Sequence, residues 1–175
     1  MYFDGYIKKI IILEPQLNTL KKITVLYMLL WLTIVGCTKK EAPAVDLSTV
    51  MLSAVNKLRT TGCTCGTTYM PPVPAVKWSS DLEAAAAAYA KQMYTGHFFN
   101  HIAPDGSSPI QRDMKFGFTG SYIGENIGEG YNDVQQVMAA WQNSPDHCMA
   151  MMDSTYVELG AAQYNNIWVQ EFGGF

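Results

Sequence analysis

Apolar residues follow three patterns along the chain. From Ile23 to Gly36 they run almost unbroken. Further on, Leu47, Val50, Met51, Ala54, Val55 and Leu58 recur at the i, i+3, i+4, i+7 spacing of one helix face. This predicts a helix over about 46–61, with Asp46 as cap and Gly62 as stop. A second helix is predicted over about 80–95, burying Leu82, Ala86, Tyr89 and Met93. Ser80-Asp81-Leu82-Glu83 has the form of a capping box, and Gly96 suits the position after the last turn. Ser108-Pro109 opens a short third helix that ends near Gly117. Asn132 caps a fourth, with Val134, Val137, Met138 and Trp141 on one face, and Ser144-Pro145 starts a helical turn carrying His147. The third pattern is extended: Ala75–Trp78, a strand or extended loop over 121–130, and strands over 156–164 and 167–172. Asn165-Asn166 between the last two has the composition of a type I′ hairpin turn. The segment 62–74 reads as a loop. Four helices and a few strands that meet late in the chain predict an α+β fold, a small antiparallel sheet covered by helices.

The run Ile23–Gly36 follows Lys21 and Lys22, and its 14 residues are shorter than the ~20 a spanning helix needs. It suits the apolar region of a secretory signal. Ile34-Val35-Gly36-Cys37 resembles a bacterial lipobox, which makes 1–36 a signal peptide, Cys37 the lipidated residue and 37–45 a tether. Residues 1–20 carry Asp4 and Glu14 and read as a start called too early. The domain proper is 46–175. Localisation is then the cell envelope, with the chain lipid-anchored to a bacterial membrane and facing periplasm or exterior.

Charge narrows the partners. Residues 37–175 carry 8 Lys and Arg against 13 Asp and Glu, a net charge of −5. Such a chain lacks the basic footprint of a nucleic-acid binder. No basic stripe recruits it to anionic lipid, so the membrane partner is reached through Cys37, and a monomer is expected. Past Cys37 remain Cys63, Cys65 and Cys148, an odd number in a compartment where disulfides persist. Cys148 is expected to pair with Cys63 or with Cys65. A zinc site from these thiols and His147 requires adjacent residues to bind one ion together, an awkward arrangement.

Histidine is scarce: His97, His101 and His147. His101 and His147 lie in Pro-, Gly- and Ser-flanked segments, and Glu125 lies in the glycine-flanked Gly124-Glu125-Asn126-Ile127. A buried glutamate needs a partner, and two imidazoles can serve as hydrogen-bond donors or as co-ligands of a metal. A set of ordered motifs goes further. Trp78 with Ser80-Asp81-Leu82-Glu83, Phe99-Asn100-His101 with Pro104 to Pro109, Gly124-Glu125-Asn126-Ile127, Trp141 to His147, Glu158-Leu159-Gly160 and Trp168 to Gly173 together resemble the bacterial branch of the CAP superfamily, the SCP-like extracellular domains. Cys63-Thr64-Cys65-Gly66, with Cys148 directly after His147, is similar to a subgroup of exported members.

The resemblance implies a three-layer α/β/α sandwich with a small, largely antiparallel central sheet and a cleft lined by two histidines and acidic residues. His101, Glu125 and His147 fall on three of the four usual cleft positions. The fourth, a glutamate in the family, falls on Ser144, which removes one carboxylate and weakens a hard cation more than zinc. The resemblance implies proteolysis for some members and sterol or lipid binding for others. Three functions are weighed. The first is a non-enzymatic envelope module binding a small ligand (lipid, sterol-like or glycan). The second is a metal-assisted hydrolase with zinc on His101 and His147 and Glu125 as base. The third is a serine hydrolase built on Ser144, His147 and Glu125, against which Ser144 serves as a helix cap and no GxSxG elbow exists. Lipidation has a direct test: Cys37→Ser should abolish partitioning into the detergent phase, whereas retention in membranes through an uncleaved segment would refute it.

Overall fold

The computed structural model describes residues 46–175, so the expectations for the signal peptide, Cys37 and the tether lie outside the described residues. The elements are α1 (Leu47–Thr61), β1 (Cys63–Cys65), β2 (Thr68–Met70), β3 (Lys77–Trp78), α2 (Ser80–Gly96), α3 (Pro109–Lys115), β4 (Tyr122–Glu129), α4 (Val134–Asn143), α5 (Pro145–Met151), β5 (Glu158–Tyr164) and β6 (Ile167–Gly174). The main sheet has the order β3-β5-β6-β4. Only the short β3–β5 pair is parallel; β5–β6 and β4–β6 are antiparallel. The fold is thus α+β with a largely antiparallel sheet. No helix among the described residues is long and apolar enough to cross a membrane.

Strand β6 organises the packing. Its side chains alternate between the two faces of the sheet. Trp168 and Phe172 join Met51, Val55, Trp141 and Met151 from α1, α4 and α5 in one core. Ile167 and Val169 join Ala86, Tyr89, Ala90 and Met93 of α2 in the other. All eight residues of β6 are buried, because a strand paired on both edges and covered on both faces has no free side. Small residues set the spacing on the α2 side: a Cβ added at Gly160 would lie 2.2 Å from Glu83 N and 2.3 Å from the Leu82 carbonyl carbon. The sheet therefore touches the backbone of α2 directly.

Several local expectations are corrected. The N-cap of α2 is Ser79, without a side-chain cap bond. Glu83 instead accepts from Trp78 Nε1 at 2.8 Å, so the anticipated capping box is absent there. A capping interaction of that kind forms at α3, where Ser108 N donates to Gln111 Oε1 at 2.9 Å. Asp133, one residue after the expected Asn132, caps α4 by accepting from Gln136 N. Gly96 stays helical, and the left-handed residue that ends α2 is His97, at φ 53°. The β5–β6 turn has positive φ at Asn165 but not at Asn166, so it is not the type I′ form, which needs both. The 62–74 segment contains the antiparallel hairpin β1–β2.

A buried guanidinium ties the α1 end to distant loops. Arg59 donates to the carbonyls of Pro74, Met151, Asp153 and Tyr156 at 2.8–3.0 Å. Burial lowers its pKa from the ordinary arginine value, and Asp153 opposes that shift. Packing at Gly160 gives a test. Gly160→Ala should cost about 2–4 kcal/mol in urea unfolding, at or above the usual range for overpacking, because its neighbours are backbone atoms that cannot rotate away. A loss below ~0.5 kcal/mol would show that α2 lifts off easily.

Candidate functional site

Glu125 sits on β4, the edge strand of the sheet, directly opposite Glu171 on β6. Its side chain is only 2% exposed, and both oxygens are occupied. Oε1 lies 2.7 Å from His101 Nδ1, and Oε2 accepts from Arg112 at 2.5 Å. His101 comes from the loop between α2 and α3, and its side chain is half exposed. His147 lies in α5, on the chain segment that follows β4 through α4. It is anchored by its backbone, whose carbonyl accepts from Asn126 Nδ2 at 3.2 Å. Burial lowers the His147 pKa from the ordinary histidine value, and the nearby charge of His101 lowers it further. Neutral imidazole is thus favoured at His147, while His101 has a carboxylate on its Nδ1 side.

Arg112 is the hub that the sequence did not disclose. Beyond Glu125, its guanidinium donates to His101 O at 3.0 Å and Ser107 O at 2.9 Å, fixing the two ends of the 101–107 loop. It stacks 3.4 Å from the centre of the Tyr89 ring, a cation–π contact. The Tyr89 hydroxyl donates to Asn100 O, and burial pushes its pKa up to about 12. Two more acids lie close. Asp113 is fully buried, and neither of its oxygens has a hydrogen-bond partner among the described residues. Burial first, then the Glu125 charge, pushes its pKa up to about 7 against the pull of Arg112. Glu171 is fully buried as well. Its oxygens make no hydrogen bond among the described residues, and burial, with the nearby Glu125 and Asp113, raises its pKa well above the usual carboxylate range. Three buried carboxyls thus lie around one guanidinium, and burial favours the neutral form of Glu171. On the opposite face of the sheet the neighbouring pair is neutral: Asn126 donates to Gln170 Oε1 at 2.9 Å.

The ligand set for a metal does not fit as arranged. Among the described residues, the one group of three or more Cys, His, Asp or Glu whose ligand atoms all lie within 4.8 Å of one another is Cys63, Cys65 and Cys148, not His101, Glu125 and His147. Arg112 also occupies one oxygen of Glu125 with a positive charge that disfavours a cation there. Ser144 stands at the start of α5, where its carbonyl receives Cys148 N; its hydroxyl makes no cap bond, contrary to the sequence expectation, and none to His147 or Glu125. The α5 helix is fastened to β1 by the Cys65–Cys148 disulfide, and Cys63 is free. A cavity of about 420 Å³ includes Tyr94, His97, Phe98, Phe99 and Glu129 in its lining, but none of His101, Glu125 and His147.

Residues 52–172 match the sequence profile of the CAP cysteine-rich secretory proteins, about two-thirds of the chain. The chain belongs to the CAP family. Its relatives include the Bacillus subtilis protein YkwD, 30% identical over 95 residues, which are 53% of this chain and 37% of YkwD. Among solved structures, an extracellular SCP-domain protein from Bacillus anthracis superposes with a TM-score of 0.65 at 20% identity, over 73% of this chain and 40% of that one. An outer surface protein from Borrelia burgdorferi superposes with a TM-score of 0.60 at 23% identity, over 72% of this chain and 90% of its own. These two similarities establish a shared CAP fold. The chain thus spans less than half of its Bacillus relatives and nearly all of the Borrelia protein.

The cleft of this CAP domain holds a buried acid on α3, Asp113, whose protonation couples stability to pH. Asp113 holds its proton to about pH 7 when folded and only to its ordinary 3.8 when unfolded. The folded state binds more protons across that window, so stability falls as pH rises from about 4 to 7. Asp113→Asn, which loses no hydrogen bond, should be more stable than wild type at pH 8 by up to about 4 kcal/mol, and the gap should vanish at pH 4. Urea midpoints at the two pH values check this. A gap that does not change with pH would contradict the buried-acid account.

Proposed function

We propose that this chain is an exported, envelope-associated CAP module, lipid-anchored through Cys37, that binds a small amphipathic ligand beside His101 without turning it over. The observation that carries this reading is the full engagement of Glu125 by His101 and Arg112. A general base needs a lone pair facing the substrate. Both Glu125 oxygens instead hold protein groups, so the carboxylate acts as the post that orients His101. A metal-assisted hydrolase would need Glu125 freed from Arg112 and the two imidazoles brought to one ion.

Binding chemistry is better supplied. His101 is half exposed, and with Nδ1 turned to Glu125 its Nε2 remains for a hydroxyl or carbonyl group of the ligand. Phe99 and Ile102 flank it in sequence and are 43% and 49% exposed. Phe99 also lines the cavity with Tyr94 and Phe98. A polar head at His101 and an apolar body along Phe99 match a lipid or sterol-like molecule better than a free glycan.

The test uses a fluorescent sterol analogue and a fatty-acyl probe with the purified chain. Saturable binding of at least one probe is expected, weakened about tenfold, or 1.4 kcal/mol, by Phe99→Ala. Generic esters and peptides should remain intact. Turnover that disappears in His147→Ala would replace the binding role with a hydrolytic one.

A further inference from the structure

Three sulfurs meet where β1 faces α5. Cys65 and Cys148 form the disulfide, and Cys63 Sγ lies 3.7 Å from each of their sulfurs. Strand geometry produces this convergence. Residues i and i+2 of a strand project to the same face, so Cys63 and Cys65 both present sulfur to the single cysteine of α5. The hairpin also packs closely on α5 outside the bond, since a Cβ added at Gly66 would lie 2.9 Å from Pro145 Cγ. Both strand cysteines thus bring sulfur into contact with Cys148, Cys63 lying side-on to the existing bond, so exchange requires the Cys63 side chain to swing into line with it. They differ in access. Cys65 and Cys148 are buried, at 2% and 0% exposure, while Cys63 is partly exposed.

We propose that Cys63 is the exchange port of this disulfide, through which the bond to Cys148 migrates between Cys65 and Cys63 and becomes reachable by small thiols. In the first step Cys63 loses its proton to solvent and its thiolate attacks Cys148 Sγ. The Cys63–Cys148 bond forms, the Cys65–Cys148 bond breaks, and Cys65 leaves as a thiolate that takes up a proton. No oxidant or reductant is consumed. The migrated bond has one accessible sulfur, which the original lacks. A low-molecular-weight thiol from the surroundings then attacks Cys63 Sγ, giving a mixed disulfide on Cys63 and a free Cys148 thiol. A second such thiol resolves the mixed disulfide, so that two small thiols become one small disulfide and the protein gains two thiols. Burial raises the Cys63 pKa above the ordinary thiol value, which keeps the port mostly protonated at rest.

The experiment uses the full chain at pH 8.5 without reductant, quenched in acid, alkylated and digested. Only Thr64 separates the two strand cysteines, so tandem fragmentation of their shared peptide must locate the alkyl group. Label on Cys65 is expected in about a tenth of molecules, the population of a pairing roughly 1.4 kcal/mol less stable, with Cys148 linked to Cys63 in the same fraction. Cys65→Ser should form the Cys63–Cys148 bond outright. Reduction of the native bond by excess 2-mercaptoethanol should be at least about tenfold slower in Cys63→Ser than in wild type, because both remaining sulfurs are buried. Label confined to Cys63, two free thiols in Cys65→Ser, or equal reduction rates in wild type and Cys63→Ser would each overturn the proposal.

Discussion

A single guanidinium compensating three buried carboxyls is the constraint around which the cleft is built. An ionised carboxylate away from water is too costly to keep without a partner. Arg112 supplies one positive charge to Glu125, Asp113 and Glu171. The shortfall favours the protonated forms, and burial with the neighbouring carboxylates raises the pKa of both Asp113 and Glu171. The same side chain fixes the loop that carries His101 and lies on the ring of Tyr89 in α2. Backbone position, imidazole orientation and charge balance of the cleft thus rest on one residue.

The two faces of the sheet solve the polar-burial problem differently. Toward α2 and α3 the β4–β6 pair carries acids and draws on Arg112. Toward α4 and α5 it carries Asn126 and Gln170, neutral amides joined by one hydrogen bond, and Asn126 also reaches the His147 carbonyl. Arg59 plays a third role, since its four carbonyl partners need no opposing carboxylate.

The sequence revealed the helices well and the cleft only in part. Periodic apolar faces are a local property, so α1, α2 and α4 were legible within a residue or two. The ends were less so, because caps depend on which neighbour a side chain finds: Glu83 turned to Trp78, and His97 took the left-handed position that Gly96 seemed made for. His97 belongs to the residue types that tolerate that conformation better than most. Hairpin β1–β2 hid in a segment of turn-forming residues. His101, Glu125 and His147 stood out as chemistry in loop-like surroundings, and the CAP motif order placed them. Arg112 did not stand out, because an arginine on a short helix usually faces water. One signal was available: Gln170-Glu171 interrupts an apolar strand between Val169 and Phe172. A buried acid in a central strand demands a partner elsewhere in the chain, and Arg112 is the one cation of α3 besides Lys115.

Strand β6 has a consequence for how the chain is made. It is the interior strand that joins β5 to β4, yet it follows every other strand of the sheet in sequence. Until residues 167–174 emerge, β4 has no neighbour in the sheet and the helices have only half a surface to cover. The helices can form early, but the sheet that they cover closes only once β6 has been made.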